Sequence, residues 1–362
     1  MKVTSAEVIP YTLPFSRPYV TARGELRRRE MVLLRMRDSE GRVGLGEAVP
    51  LALRGGATLE TVVRELEALA ETALLDPDGF AADAKAAKLS APARCAVETA
   101  LWDLAEQAGP AEGLPSDPDS GSKGNLAEGA ARVVRCNATL VAGQPAEVAA
   151  EAERWAADGF GTFKLKLGTG DDAGQVRAVR EALGPAARIR VDANASWSVT
   201  EALAVLDAIE PYGIELVEQP VSSLEEMAAL AARTSIPLAA DESVASAAEA
   251  RRAAEAKACA VTGIKLSKVG GRPEAEAILR VLPAYFSSAL DGPVGIVAAG
   301  LMAAELGRPD EQPRAHGLAT ERLFAESVAA VGPRLEGDLL HLPPAPGLGV
   351  VIDEDALQAH RL

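Results

Sequence analysis

The sequence has few of the residues that build disulfide-linked domains and zinc sites. Three cysteines and three histidines occur in 362 residues. Cys95, Cys136 and Cys259 are widely spaced and form no Cys-x-x-Cys motif, which argues against a disulfide framework and against a zinc site. We therefore interpret them as buried thiols. Aromatic residues make up 4% of the chain, so we expect a core built mainly from Ala, Leu and Val.

Positive charge and long apolar runs are scarce as well. Lysine and arginine number 37 against 52 acidic residues, which gives a net charge of -15 and argues against a nucleic-acid partner. No uncharged apolar run reaches the roughly 18 residues of a membrane span, and the N-terminus that starts with Met1–Ser5 lacks an apolar segment of signal-peptide length. We expect a cytoplasmic protein with no membrane partner, and we leave open whether it forms a homo-oligomer.

The first third of the chain has the pattern of strands followed by helices. Strand patterns occur at 3–13, 31–36 and 43–48, and the last two are predicted to form a hairpin. The apolar period becomes helical from 59 to about 107. Residues 109–129 are rich in Gly, Pro, Ser and Asp, and we interpret them as a linker.

A regular alternation of strands and helices follows this linker. Eight strand-like apolar runs, separated by Ala-rich helical stretches, lie near residues 137–140, 162–167, 188–192, 214–218, 237–241, 261–266, 284–290 and 314–318. This pattern predicts an α/β fold of the (β/α)8 barrel type. A doubly wound open sheet is the alternative, but the first strand lacks the Gly-rich phosphate loop that such a fold would require.

Charged residues stand at the ends of five successive predicted strands. Lys166, Asp192, Glu218, Asp241 and Lys265 are 26, 26, 23 and 24 positions apart, about the length of one strand, one helix and two loops. Because the active site of such a barrel lies at the carboxyl ends of its strands, these side chains should converge. Taken singly, each acidic residue could equally be a helix cap or an ion-pair partner.

Three converging carboxylates indicate a bound cation. Without a counter-ion, Asp192, Glu218 and Asp241 would repel one another and would be costly to bury. Their oxygen ligands suit Mg²⁺, with Mn²⁺ as an alternative, and the lack of His and Cys in these motifs argues against zinc. Asn194, two residues past Asp192, is a candidate to orient a metal ligand.

Lysines flank the predicted metal site. Lys164 and Lys166 alternate on one strand, so both should point into the barrel mouth, and Lys265 should lie across from them. A solvated strand edge is the alternative for the Lys-x-Lys pair. Two opposed lysines beside a metal predict that one removes the proton next to a substrate carboxylate, while the other returns a proton or stabilises the enediolate. The metal should lower the lysine pKa toward neutrality. His316 either closes the eighth strand or is a core residue.

These motifs resemble the enolase superfamily, in particular its muconate-lactonizing-enzyme subgroup. The resemblance rests on a set of motifs spread over the barrel, namely Lys164-x-Lys166, Asp192-x-Asn194, Glu218-Gln219-Pro220, Asp241-Glu242-Ser243, and Lys265 followed by Gly270-Gly271. It implies that Asp192, Glu218 and Asp241 bind Mg²⁺ and that Lys166 and Lys265 are the catalytic pair.

The resemblance also implies a domain plan. Residues 1–125 would form an α+β capping domain, 126–330 a modified (β/α)7β barrel, and 331–362 a segment that returns to the cap. Two cap loops, Thr21–Gly24 and Leu51–Gly56, would close over a small carboxylate substrate. Arg23, in the first loop, is a candidate substrate contact.

Members of the subgroup share the lysine pair, so the activity must be inferred from other residues. The run Ser287-Ser288-Ala289-Leu290-Asp291 is similar to one in many o-succinylbenzoate synthases, which adds Ser288 and Asp291 as candidates. Dipeptide epimerases typically carry Asp-x-Asp at the eighth strand, where this chain has His316-Gly317-Leu318. The resemblance therefore implies a lyase that catalyses a syn dehydration in menaquinone biosynthesis.

Other activities remain as alternatives to this lyase. A muconate or chloromuconate cycloisomerase, an N-acylamino acid racemase and a dipeptide epimerase would all use the same lysines. A non-enzymatic binding module is disfavoured, because the set of metal ligands and both lysines are complete.

Overall fold

The structure, a computed structural model, describes most of the chain. It covers residues 2–21, 24–52, 55–75, 87–109, 132–307 and 314–362. Among the residues in these ranges, no helix combines the length and the apolar composition that crossing a membrane requires. The predicted linker lies almost wholly outside the described residues, so the domain limits near 125 and 331 stay predictions.

A three-stranded antiparallel sheet with two helices forms the N-terminal cap. The strands are β1 (Val3–Thr21), β2 (Gly24–Asp38) and β3 (Val43–Ala48), paired in that order. The helices are α1 (Leu59–Leu75) and α2 (Ala91–Ala108). The predicted hairpin between the last two strands is confirmed, since Val32 to Arg37 pair with Ala48 to Val43.

The cap sheet is buried on both faces. In β2, alternate residues point to opposite sides of the sheet. Val32 and Leu34 pack in a cluster with α1 and α2, whereas Met31 and Leu33 belong to the large cluster that includes the barrel. The sheet thus lies between its own helices and the second domain, which explains why β2 is apolar on successive positions rather than alternating.

Seven parallel strands form the barrel sheet, in the order of the chain. They are β5 (Ala138–Leu140), β6 (Thr162–Lys166), β7 (Arg188–Asp192), β8 (Ile214–Glu218), β9 (Leu238–Ala240), β10 (Val261–Ile264) and β11 (Ala284–Phe286), preceded by the short β4 (Val133–Arg135). The eighth segment closes the sheet, because His316 bridges Cys136 and Gly317 bridges Ser287 in parallel pairing. The predicted fold class is confirmed.

Helices cover the outside of this sheet. They are α3 (Pro145–Ala157), α4 (Asp172–Leu183), α5 (Val199–Ile209), α6 (Leu224–Ala231), α7 (Ala247–Glu255), α8 (Leu266–Val269), α9 (Arg272–Leu279) and α10 (Pro293–Ala304). Several start at a side-chain cap. Ser198, for example, accepts from the backbone N–H of Glu201 while the Glu201 carboxylate accepts from Ser198.

The C-terminal residues add small sheets and one helix. They are β12 (Ala329–Val331), β13 (Arg334–Glu336), β14 (Leu339–His341), β15 (Val351–Ile352) and α11 (Glu354–His360). β14 pairs with β4 at the start of the barrel. The end of the chain contacts the cap, since Glu354 lies 2.6 Å from Arg35 and the Leu362 N–H donates to the Pro10 carbonyl at 3.0 Å.

A glycine in β3 sets how closely α2 approaches the cap sheet. A Cβ atom placed on Gly46 would lie 1.9 Å from the Ala96 carbonyl oxygen. We expect Gly46→Ala to lower the free energy of unfolding by about 1–3 kcal/mol, because the helix would have to move. Urea denaturation measures this, with Gly161→Ala as the control, since a Cβ there meets nothing within 4 Å. Equal effects of the two substitutions would contradict the prediction.

Candidate active site

The five evenly spaced residues meet at the carboxyl end of the barrel strands. Lys166 lies opposite Asp192 in the β6–β7 register, and Asp192 lies opposite Glu218 in the β7–β8 register. Asp241 directly follows β9 and Lys265 directly follows β10. All five side chains are at least nine-tenths buried. The predicted convergence is therefore present in the fold.

Ion pairs connect the lysines to the carboxylates. The Lys164 Nζ lies 2.6 Å from Glu218 and 2.9 Å from Asp192. The Lys166 Nζ lies 2.5 Å from Asp192, and Lys265 pairs with Asp241. Lys166 also donates to the Asn194 side-chain oxygen at 3.1 Å, which places Asn194 as a neighbour of a lysine as well as of Asp192.

Two residues of this network were not singled out from the sequence. The Lys268 Nζ donates to Asp241 Oδ1 at 2.9 Å and to the Gly263 carbonyl at 3.0 Å. The Tyr285 hydroxyl donates to Glu218 Oε2. Lys268 follows Lys265 by one turn of a helix, a spacing that could have suggested it. Tyr285 sits in an apolar run, where no local signal marks it as a polar contact.

The charges of the paired lysines and carboxylates lower the pKa of Asp192 and raise the pKa of Lys166. Burial alone would raise the pKa of Asp192, but Lys164 and Lys166 outweigh it and hold that pKa far below its usual range. Burial alone would lower the pKa of Lys166, but the charge of Asp192 outweighs it and raises the pKa above its ordinary value. The predicted fall of the lysine pKa toward neutrality depends on a bound metal, and it stays a prediction; the carboxylate charges alone raise the pKa of Lys166.

The residues expected to bind a metal offer only oxygen atoms. Within the described ranges, no three His, Cys, Asp or Glu side chains are arranged to hold a metal ion, since each carboxylate is turned to a lysine. Glu218 Oε1, however, is buried and accepts no hydrogen bond. A buried carboxylate oxygen without a donor is costly, and a hard divalent cation would satisfy it. The side chains therefore fit Mg²⁺ chemically.

A cavity of about 800 Å³, counting the space open to solvent, lies above the lysines. The charged side chains among its described lining residues are all cations, and they are Lys164, Lys166, Lys265 and Arg29. Leu26, Leu51 and Leu290 contribute apolar surface to the same cavity. Asp192, Glu218 and Asp241 stand behind the lysines rather than on its wall. The cavity thus suits an anionic molecule with an apolar body.

The loop after β11 forms one side of this cavity. Ser288 lines it, but its hydroxyl donates to Asp291 Oδ2 at 2.8 Å and accepts from the Asp291 N–H at 2.8 Å. Asp291 also accepts from Ser267 at 3.1 Å. The predicted pair thus supports the loop, and Asp291 does not line the cavity itself. Arg23 lies outside the described residues, while Gly24 and Leu51, from the two predicted cap loops, line the cavity.

His316 has a structural role in the barrel sheet. It is 1% exposed, and its Nδ1 accepts from the Phe286 N–H at 3.0 Å. Burial, aided by the charge of Arg190, lowers its pKa to about 3, so it is neutral at physiological pH. It closes the sheet between β5 and β11, which joins the two alternatives considered from the sequence.

Buried carboxylates beneath opposed lysines at a barrel mouth are the apparatus of enzymes that remove a proton next to a carboxylate. The chain matches the family model of the enolase C-terminal domain-like fold over residues 147–356. It also matches the mandelate racemase / muconate lactonizing enzyme N-terminal domain over residues 4–111. The chain therefore belongs to the enolase superfamily, in the mandelate racemase and muconate lactonizing enzyme group.

Curated relatives of similar sequence have three different activities. The L-Ala-D/L-Glu epimerase of Bacillus subtilis (strain 168) is 28% identical over 97% of this chain and 97% of its own length. Muconate cycloisomerase 1-2 of Acinetobacter lwoffii is 29% identical over 100% of this chain and 96% of its own. The o-succinylbenzoate synthase of Thermobifida fusca (strain YX) is 37% identical, but over 54% of this chain and 62% of its own.

Similar solved structures include epimerases and muconate lactonizing enzymes. A dipeptide epimerase from Enterococcus faecalis V583, complexed with Mg and the dipeptide L-Leu-L-Tyr, matches with a TM-score of 0.84 and 27% identity over 97% of this chain and 99% of that one. A muconate lactonizing enzyme from Pseudomonas fluorescens, complexed with muconolactone, matches with a TM-score of 0.85 and 27% identity over 100% of this chain and 99% of that one. These structures share the fold of this chain over nearly its full length.

A buried carboxyl group joins the cap to the barrel beside the cavity loop. Glu47, in β3, accepts from the Tyr11 hydroxyl at 3.0 Å and from the Gly292 N–H at 2.6 Å. Burial, and then the negative charge of Asp291, raises the pKa of Glu47 to about 8. The folded protein thus binds a proton at this site more tightly than the unfolded chain does.

This raised pKa makes stability fall as pH rises. A carboxyl whose folded pKa lies above its unfolded value lowers stability progressively as pH rises between those two values, here from about pH 4.5 to about 8, and the loss persists at higher pH. We expect Glu47→Gln to gain stability relative to the wild type across that window, measured by urea unfolding at its two ends. The exposed Glu67→Gln is the control. A difference between Glu47→Gln and wild type that does not change with pH would refute the shift.

Proposed function

We propose that the protein is a Mg²⁺-dependent o-succinylbenzoate synthase, a carbon–oxygen lyase. It would remove the proton next to a carboxylate and then eliminate a β-hydroxyl group as water. Its substrate would be the cyclohexadiene carboxylate precursor of o-succinylbenzoate, in the pathway to menaquinone.

The composition of the cavity wall carries this proposal. Among the described lining residues the charged side chains are cations, and Leu26, Leu51 and Leu290 provide apolar surface. A carbocyclic carboxylate matches such a wall. A dipeptide would bring an ammonium group, which needs a carboxylate or several carbonyls to replace its water. The eighth strand offers His316-Gly317-Leu318 where dipeptide epimerases carry two aspartates.

Lys166 is the proposed base. Its Nζ lines the cavity, held between Asp192 and Asn194, so a deprotonated Lys166 would accept the α-proton from the substrate carbon. The same nitrogen, now protonated, would deliver that proton to the departing hydroxyl on the same face, which gives water and a syn elimination. Lys265, after β10, would stabilise the enediolate by its positive charge.

Asp192, Glu218 and Asp241 would hold the metal. When bound, Mg²⁺ would neutralise the negative charge of the substrate carboxylate. Asp192 would then bind the metal instead of Lys166, which would lower the pKa of Lys166 to the range a base needs. Asp192 and Glu218 end two neighbouring strands, Asp241 directly follows the next strand, and all three are buried, so the sheet largely fixes their positions.

A dipeptide epimerase is the second candidate. The epimerases from Bacillus subtilis and Enterococcus faecalis match nearly the full length of the chain, whereas the o-succinylbenzoate synthase from Thermobifida fusca matches about half of it. Epimerisation would use the same lysines on opposite faces of the α-carbon. The two candidate functions therefore share their catalytic residues and differ in substrate.

Lys166→Ala tests the base. We expect it to reduce dehydration of the cyclohexadiene carboxylate at least about 10²–10⁴-fold, because proton transfer to this nitrogen would be lost. Product formation followed by ultraviolet absorbance in saturating Mg²⁺ measures this. Lys257→Ala, an exposed lysine on the outside of the barrel, is the control. A Lys166→Ala variant with wild-type rate would exclude Lys166 as the base.

Isotope exchange separates the two candidate functions. In D₂O, we expect the wild type to convert the cyclohexadiene carboxylate and to leave the α-proton of L-Ala-L-Glu unexchanged, as followed by proton NMR. The cationic wall is the reason, since it disfavours the dipeptide ammonium group. Rapid exchange into the dipeptide, with no dehydration, would instead identify an epimerase.

A further inference from the structure

Tyr285 is buried inside the barrel, one layer deeper than the predicted metal ligands. It is 1% exposed and packs with Leu216, Ala239 and Val261, which line the same interior. Its neighbour across the β10–β11 register is Gly263, where a Cβ atom would lie 3.3 Å from the Tyr285 hydroxyl oxygen. A glycine at this point leaves the ring the room it needs.

The guanidinium group of Arg190 packs against the aromatic ring of Tyr285. The Arg190 guanidinium carbon lies 5.2 Å from the ring centroid of Tyr285. Arg190 is itself held by Glu215 at 2.8 Å and by the Ala315 carbonyl at 2.7 Å. The ring therefore has one position, which directs its hydroxyl at Glu218.

The two oxygens of Glu218 are treated differently. Oε2 accepts from both Tyr285 and Lys164, the latter at 2.6 Å. Oε1 is equally buried and accepts nothing. The two donors on Oε2 fix the rotation of the Glu218 carboxylate, so that Oε1 is available to bind a cation.

We propose that Tyr285 is a positioning residue for the metal site, which holds Glu218 so that Oε1 is presented to the divalent cation. The inference rests on the proposed Mg²⁺ dependence and adds a residue that none of the motifs contains. Partners of this kind orient metal ligands, and their loss typically weakens metal binding about 10–100-fold.

Tyr285→Phe removes the hydroxyl and keeps the ring. We expect the Kd for Mg²⁺, measured by isothermal titration calorimetry on the full-length protein, to rise at least about 10-fold. Mn²⁺ binding followed by electron paramagnetic resonance should weaken in parallel. The loss of activity should be recovered at high Mg²⁺, which would not occur if the substitution merely damaged the fold. Thermal unfolding in EDTA reports on the fold separately.

Tyr11→Phe is the matched control. Tyr11 is also fully buried and also donates to a glutamate, Glu47, but away from the metal site. Its Mg²⁺ affinity should equal that of the wild type. If Tyr285→Phe binds Mg²⁺ as tightly as the wild type while Glu218→Gln does not, the inference is overturned and the proposed function stands. If Glu218→Gln binds as tightly as the wild type, both are overturned.

Discussion

The ion pairing of buried carboxylates with buried lysines is the interaction on which this structure depends. Asp192, Glu218 and Asp241 lie in the barrel mouth at 0–1% exposure, where an unpaired charge would be prohibitively costly. Lys164 pairs with Asp192 and Glu218, and Lys265 and Lys268 pair with Asp241. Buried ion pairs of this kind contribute little to the stability of a fold, but they fix the charge state and the position of the side chains that form them. The position of this network of ion pairs at the carboxyl ends of the barrel strands, beside the cavity, indicates a role in the chemistry.

The fold supplies the geometry that makes this network possible. Parallel strands in chain order bring residues about 25 positions apart to one rim, and the register places Lys166, Asp192 and Glu218 side by side. The cap then covers the rim. Arg29, from β2, donates to the Ala289 carbonyl at 3.0 Å, and Glu47, from β3, accepts from Gly292, so the cap holds the loop that forms the cavity wall.

Much of this arrangement could be predicted from the sequence. The strand ends were predictable because apolar runs recur at a constant step, and the charges there are unusual for buried positions. Tyr285 was not predictable, since its role depends on Gly263 across the sheet and on Arg190 beneath the ring. Glu47 is a similar case, because Gly292, its partner, is 245 positions away. The lowering of the Lys166 pKa by a bound metal stays a prediction, because in the absence of metal the charge of Asp192 raises that pKa.

We propose that the lysine–carboxylate network becomes a metal centre with a free base when a divalent cation binds. A crystal structure of the protein grown with Mn²⁺, with anomalous diffraction recorded at the manganese edge, tests it directly. We expect a single strong anomalous peak within bonding distance of Asp192, Glu218 and Asp241, with Lys166 moved away from Asp192. A map with no peak at these carboxylates, with the lysine pairs intact at saturating Mn²⁺, would contradict it.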